Sequence, residues 1–127
     1  MGANSQIRLR VGGVDTSGTG YHSVRIEANN APTVSPIATN AASSWGLTYI
    51  ANSTDGTSLI LDLFRPFATS ATQVVSQAAR TDSTTAFNTV TGGGYHNAAT
   101  SFDGFSIVPS SGTVSCTNIR VYGYGNS

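Results

Sequence analysis

The chain has 127 residues, of which 39% are hydrophobic but only 9% charged, with six acidic residues balancing six basic ones. That hydrophobic share supports a packed core and argues against disorder, and the length suits a single domain over residues 1–127. Balanced charge without any basic run gives no electrostatic footprint for nucleic acid.

An average soluble domain carries about 25% charged residues. Here all six basic residues are arginine, so Ser, Thr, Asn, Gln and Gly must build most of the surface. Such a surface hydrogen-bonds well and repels its neighbours little, which favours association. Cys116 is the only cysteine and excludes an intrachain disulfide; its setting reads as a small core residue of a strand. No signal peptide or membrane-spanning run is read along the chain, and Gln6 breaks the N-myristoylation pattern after Gly2. Synthesis in a cytoplasm is expected.

The dominant hydrophobic period is two. Gln6-Ile7-Arg8-Leu9-Arg10-Val11 alternates without exception and predicts a half-buried strand. Gly12-Gly13 ends it, and residues 15–20 read as a turn. Over residues 21–27, Val24 and Ile26 fall on one face and Arg25 and Glu27 on the other. Residues 29–44, with Pro32 and Pro36, read as a polar loop, and residues 45–51 as a strand. Asn52-Ser53-Thr54 fits a glycosylation acceptor, relevant only in a eukaryotic secretory route, and Asp55-Gly56 is a turn signal. Leu59-Ile60-Leu61-Asp62-Leu63-Phe64, nearly continuous in apolar residues, predicts a central buried strand with Leu59, Leu61 and Leu63 on one core face.

Residues 70–80 contain good helix formers, but Val74-Val75 flanked by Thr72 and Ser76 favours a strand over residues 73–79. Gly92-Gly93-Gly94 reads as a flexible loop. Residues 102–108 form a further predicted strand, Pro109-Ser110-Ser111-Gly112 a turn, and residues 116–124 a terminal strand. Roughly eight short strands without a convincing helix predict an all-β, antiparallel β-sandwich, jelly-roll-like, with residues 6–11 beside a C-terminal strand.

The stretch from Ser101-Phe102-Asp103-Gly104-Phe105 through Ile107-Val108-Pro109-Ser110-Ser111-Gly112 to Arg120-Val121-Tyr122-Gly123-Tyr124 resembles the closing hairpin of β-sandwich modules in structural proteins of tailed bacteriophages. Those modules end in an apolar strand, a Pro-Ser-Ser-Gly turn and a Tyr-Gly-containing strand. Leu9-Arg10-Val11-Gly12-Gly13-Val14-Asp15-Thr16, with Tyr21 beyond, is similar to the strand, Gly/Asp turn and aromatic near their start. The resemblance implies a non-enzymatic virion protein, made in the host cytoplasm, that needs no cofactor. A capsid decoration or cement protein is the first expectation, and a tail-fibre or tailspike tip binding a host-surface glycan or receptor the second. Modules of this kind carry further strands before the Arg-containing one, so the edge at residues 6–11 is expected to be open. A homotrimer, a larger assembly or the major capsid protein would cover it, with no nucleic acid or membrane as partner. Ile7, Arg8, Leu9, Arg10, Val11, Tyr122 and Tyr124 are the interface candidates.

Catalytic and metal readings are weaker. Asp15-Thr16-Ser17-Gly18 departs from the Asp-Thr-Gly of aspartic proteases at Ser17, and an Asp-initiated turn explains it. His22, His96 and Asp103 would form a metal site only if the fold gathered them. Gly92-Gly93-Gly94 lacks the lysine of a phosphate loop, and no Gly-x-Ser-x-Gly elbow is present. Trp45, Tyr49 and Tyr95 are candidates for stacking on sugars, with core packing favoured for Trp45.

Overall fold

A computed structural model describes residues 4–49, 56–83 and 86–124. Among the described residues nine strands run in chain order: β1 (Asn4–Val11), β2 (Val14–Asp15), β3 (Tyr21–Asn29), β4 (Val34–Ala42), β5 (Trp45–Tyr49), β6 (Thr57–Phe64), β7 (Thr72–Ser83), β8 (Ala86–His96) and β9 (Gly104–Pro109). All described pairings are antiparallel, and no helix occurs among the described residues. Two sheets pack on a shared core as a β-sandwich.

The larger sheet has the order β4-β3-β8-β7-β6, and β6, β7 and β8 form a meander. In the smaller sheet β1 is central. Along one side it pairs with β9 from Ser5↔Pro109 to Arg10↔Gly104; on the other it meets β5 at its start and β2 at its end. Gly12 and Gly13 carry the β1–β2 hairpin at φ 59° and 80°, the left-handed pair that a tight two-residue turn requires. The alternation of residues 6–11 therefore produces a strand flanked on both sides, beside β9, and the expected open edge is absent.

The core is small and aromatic. Ile7 and Leu9 from β1, Tyr21 from β3, Trp45 and Leu47 from β5, Val74 from β7 and Phe102 before β9 are buried together. Tyr21 and Trp45 meet edge to face at 5.3 Å, a favourable quadrupolar arrangement. The Tyr21 hydroxyl accepts the Leu9 amide at 2.9 Å and donates to the Thr16 carbonyl at 3.1 Å, which ties the two sheets together. Burial pushes this phenol above its ordinary value, opposed by the Leu9 hydrogen bond. Trp45 donates its indole N–H to the Tyr95 carbonyl at 3.1 Å, so its polar atom is satisfied inside the core.

Several expectations are corrected. Gly92-Gly93-Gly94 is no loop but the middle of β8, the central strand of the larger sheet. A Cβ at Gly94 would meet the His22 carbonyl oxygen and come within 3.1 Å of Trp45, and one at Gly92 would lie 2.9 Å from the Arg25 Cβ. Bare backbone there lets neighbouring side chains lie directly on the strand. Residues 29–44 are not all loop, because β4 occupies most of them as an exposed edge strand. Pro36 is tolerated at an edge, where a strand's missing donor breaks no ladder.

The run at Leu59–Phe64 is likewise an edge rather than a central strand. Leu59, Leu61 and Leu63 do share the inward face, but only half-buried, while Ile60 is 63% exposed. Residues 116–124 form no strand in the chain, and Cys116 is exposed rather than in the core. The strand at residues 73–79 is present as β7, and Trp45 is a core residue. Asn52-Ser53-Thr54 and Asp55 lie outside the described residues.

Candidate binding surface

The most unusual surface is the outer face of the larger sheet. On β3 the strand parity places Tyr21, Ser23 and Arg25 inward and Val24 and Ile26 outward, so the charged side of that strand faces in. Arg25 is 5% exposed and is matched there by the Glu27 carboxylate at 2.8 Å and by the Gly46 carbonyl. Cross-strand registers then align Ala38, Val24, Gly93 and Val75 in one outer row, and Pro36, Ile26, Thr91, Gln77 and Ile60 in the next. Val24, Ile26, Val34, Ile60, Phe64, Val75, Phe87 and Tyr95 are each at least 44% exposed. Among the described strand positions of this face, Asp62 is the only formal charge. Contiguous exposed apolar area of this kind marks an interaction surface.

The face is grooved because Gly93 has no side chain. A trough of about 480 Å³ runs over it, walled by His22, Val24, Phe64, Gln73, Val75 and Tyr95. His22 and Tyr95 stack in parallel at 4.8 Å with an interplanar angle of 8°. A second trough of about 380 Å³ lies further along the sheet beside Ile60, Gln77 and Thr91. Apolar walls with a few amides suit either an apolar side chain of a partner or the face of a sugar ring.

The interface candidates are dispersed. Ile7 and Leu9 are fully buried within the chain and belong to its core, since β1 is covered by the larger sheet. Arg8 reaches Gln6 at 3.2 Å; Arg10 bonds the Gly13 carbonyl and lies 3.3 Å from Asp15, holding the β1–β2 hairpin. Val11 is 44% exposed, and Tyr122 and Tyr124 are more than 70% exposed. Reading β1 by its alternation alone missed the outer face of the larger sheet. The available signal was the alternation in residues 21–27 together with the apolar residue Ile60.

The histidines are not brought together. His22 lies on the outer face and His96 on the inner face of the same sheet, because their strand partners Tyr95 and Tyr21 are on opposite sides. Asp103 accepts the Gly12 amide at 2.6 Å, and Asp15 accepts the Ser106 hydroxyl at 2.6 Å. Among the described residues no three His, Cys, Asp or Glu side chains gather as a metal set. Trp45 is buried and unavailable for stacking, Tyr95 borders the trough, and the side chain of Tyr49 lies outside the described ones.

His96 packs edge-on between Tyr21 at 4.5 Å and Phe102 at 5.1 Å, and its Nδ1 accepts the Ala98 amide at 3.3 Å. Burial, aided by His22, lowers its pKa from the ordinary value. Between the folded value and about 6.5 the unfolded chain therefore binds more protons than the folded one. Stability from this group is complete above about pH 6.5 and is lost as pH falls through the folded value. Thermal unfolding measured from about pH 8 down to about pH 5 should show a falling midpoint. In His96→Gln the slope should flatten, and an unchanged slope would place the titrating group elsewhere.

Compared with protein-family models, with curated proteins and with solved structures, the chain matches none of them.

Proposed function

We propose that this chain is a non-enzymatic structural protein of a tailed-phage particle, a decoration or cement module that works by burying the outer face of its larger sheet against copies of itself and other virion proteins. The observation that carries the reading is that face: eight large apolar side chains at least 44% exposed, with Asp62 its only charge among the described strand positions. Interfaces are depleted in charge at their centres and enriched in apolar and aromatic residues. The uncharged composition of the whole chain agrees, as does the sequence resemblance to phage β-sandwich modules. A second reading, a fibre or spike tip holding a host-surface glycan, is favoured by the trough over Gly93. There Tyr95 and His22 offer ring surface, and Gln73 and Asn40 offer amides for sugar hydroxyls.

The double variant Val24→Asp/Val75→Asp tests both. It places carboxylates on either side of Gly93, at positions 56% and 47% exposed in the single chain, so the fold should survive. Association measured by light scattering should be lost while the β-type circular dichroism spectrum persists. Labelling of intact particles should locate the parent chain on the head. Undiminished association by the variant would remove the outer face from the interface. Location at the tail, with glycan-array binding lost in Tyr95→Ala, would favour the second reading.

A further inference from the structure

A hydrogen bond joins the end of the described chain to β6, across 62 positions of sequence. The Tyr124 hydroxyl donates to Asp62 Oδ1 at 3.2 Å, the one side-chain hydrogen bond of residues 113–124 among the described residues. Asp62 points outward from β6, in register with Val75 and, through it, with Gly93 and Val24. The other outward positions of β6, Ser58, Ile60 and Phe64, are exposed, whereas Asp62 is partly covered. It is also the one that Tyr124 reaches.

Residues 113–124 pair with no strand among the described residues. Ile119, Val121 and Gly123 nevertheless alternate with Arg120, Tyr122 and Tyr124, a strand pattern. The segment leaves β9 in the smaller sheet, turns at Gly112 (φ 72°) and ends on β6 in the larger one. It therefore crosses from one layer of the sandwich to the other. On that side the Phe102 amide donates to the Pro66 carbonyl at 2.7 Å and the Ser101 hydroxyl to the Phe67 carbonyl at 2.8 Å, which draws the exit of β6 to the entry of β9. Leu61 and Leu63 on β6, and Phe105 and Ile107 on β9, pack on the core while staying partly exposed. The seam between these two strands is thus apolar and incompletely covered.

We propose that residues 113–124 are a strap of their own chain, latched to β6 by Tyr124 and Asp62, that closes over the seam between β6 and β9. The latch names the occupant, because it is a contact within the single chain. Alternation puts Ile119 and Val121 on the side opposite Tyr124. With Tyr124 held at the outward Asp62, those two face the seam. They are 63% and 71% exposed, so the strap is latched and not yet seated. Seating it removes their apolar surface, and that of the rim, from water. Twelve extended residues reach up to about 40 Å, which leaves slack for the crossing. A tether this short also holds the segment near its own seam at an effective concentration on the order of millimolar, which a second copy would have to exceed. The strap is complete within one chain and does not depend on the association reading.

Cys116 is the only cysteine and is exposed, so a nitroxide can be placed on the strap without any substitution. Tagged, isotope-labelled full chain is diluted into excess untagged, unlabelled chain, and its methyl signals are followed by NMR. Expected is stronger broadening of Leu61 and Leu63 than of Val34 and Ile37 on β4, at the opposite edge of the larger sheet. Tyr124→Phe and Asp62→Asn, both outside the core, should each reduce that contrast while the β-type circular dichroism spectrum persists. Absence of the contrast in the parent would overturn the strap, and an unchanged contrast in both variants would overturn its latch. Untagged labelled chain mixed with tagged unlabelled chain should show no such broadening. The same broadening in that mixture would assign the segment to a second copy and overturn closure within one chain.

Discussion

Gly94→Val is expected to destabilise the protein by more than about 3 kcal/mol, a large share of the roughly 5–15 kcal/mol by which a typical domain is stable. Gly94 faces inward from the central strand of the larger sheet, where a Cβ would meet the His22 carbonyl oxygen and crowd Ser23 and Trp45 at 3.1 Å. Neither neighbour can yield cheaply. The carbonyl belongs to β3, paired with β8 through Tyr21–Asn29, and Trp45 is fully buried and held through its indole N–H. Gly93→Ala is the natural comparison, because that Cβ points outward with its nearest atom, the Val74 carbonyl oxygen, at 3.3 Å. Urea unfolding of the two variants should separate them widely. Equal, small losses would mean that Trp45 does not lie on the β8 backbone.

Arg25→Met should cost about 3–5 kcal/mol, the range seen when one partner of a buried ion pair is removed. The methionine keeps much of the side-chain volume but leaves the Glu27 carboxylate, whose side chain is 15% exposed, without its cation. It also removes a donor to the Gly46 carbonyl. The loss therefore comes from an uncompensated charge and an unpaired acceptor more than from a cavity. The double variant Arg25→Met/Glu27→Gln should recover part of the loss, and a double-mutant cycle in denaturant measures the coupling. A cost within about 0.5 kcal/mol of zero, typical of surface positions, would show that the pair is solvated and that β3 presents its other face to the core.

Both variants lie where reading the residues alone was least informative. A run of three glycines is the ordinary mark of a loop, and nothing within residues 92–94 signals that Trp45 and Arg25 need the space above them. The alternation in residues 21–27 identified a strand and its two faces. Which face turned inward depended on Glu27 and Gly46 meeting Arg25, a contact that spans 21 positions in the second case. The outer apolar face, and with it the candidate binding surface, follows from that choice.

The sequence by itself determined the all-β class, because period-two alternation and β-branched runs specify strands locally. It also determined the strands at residues 6–11, 73–79 and 102–108 in outline, and the burial of Trp45. Tertiary structure alone decided which strands are central and which are edges. Residues 6–11 became central because β9, β5 and β2 flank them, and the apolar run at residues 59–64 became an edge because, among the described residues, only β7 pairs with it. Alternation encodes the two faces of a strand, whereas its two edges are satisfied by backbone groups common to every residue. Side-chain pattern therefore carries no record of how many neighbours a strand will have. The same reason leaves residues 116–124 strand-like in pattern yet unpaired among the described residues.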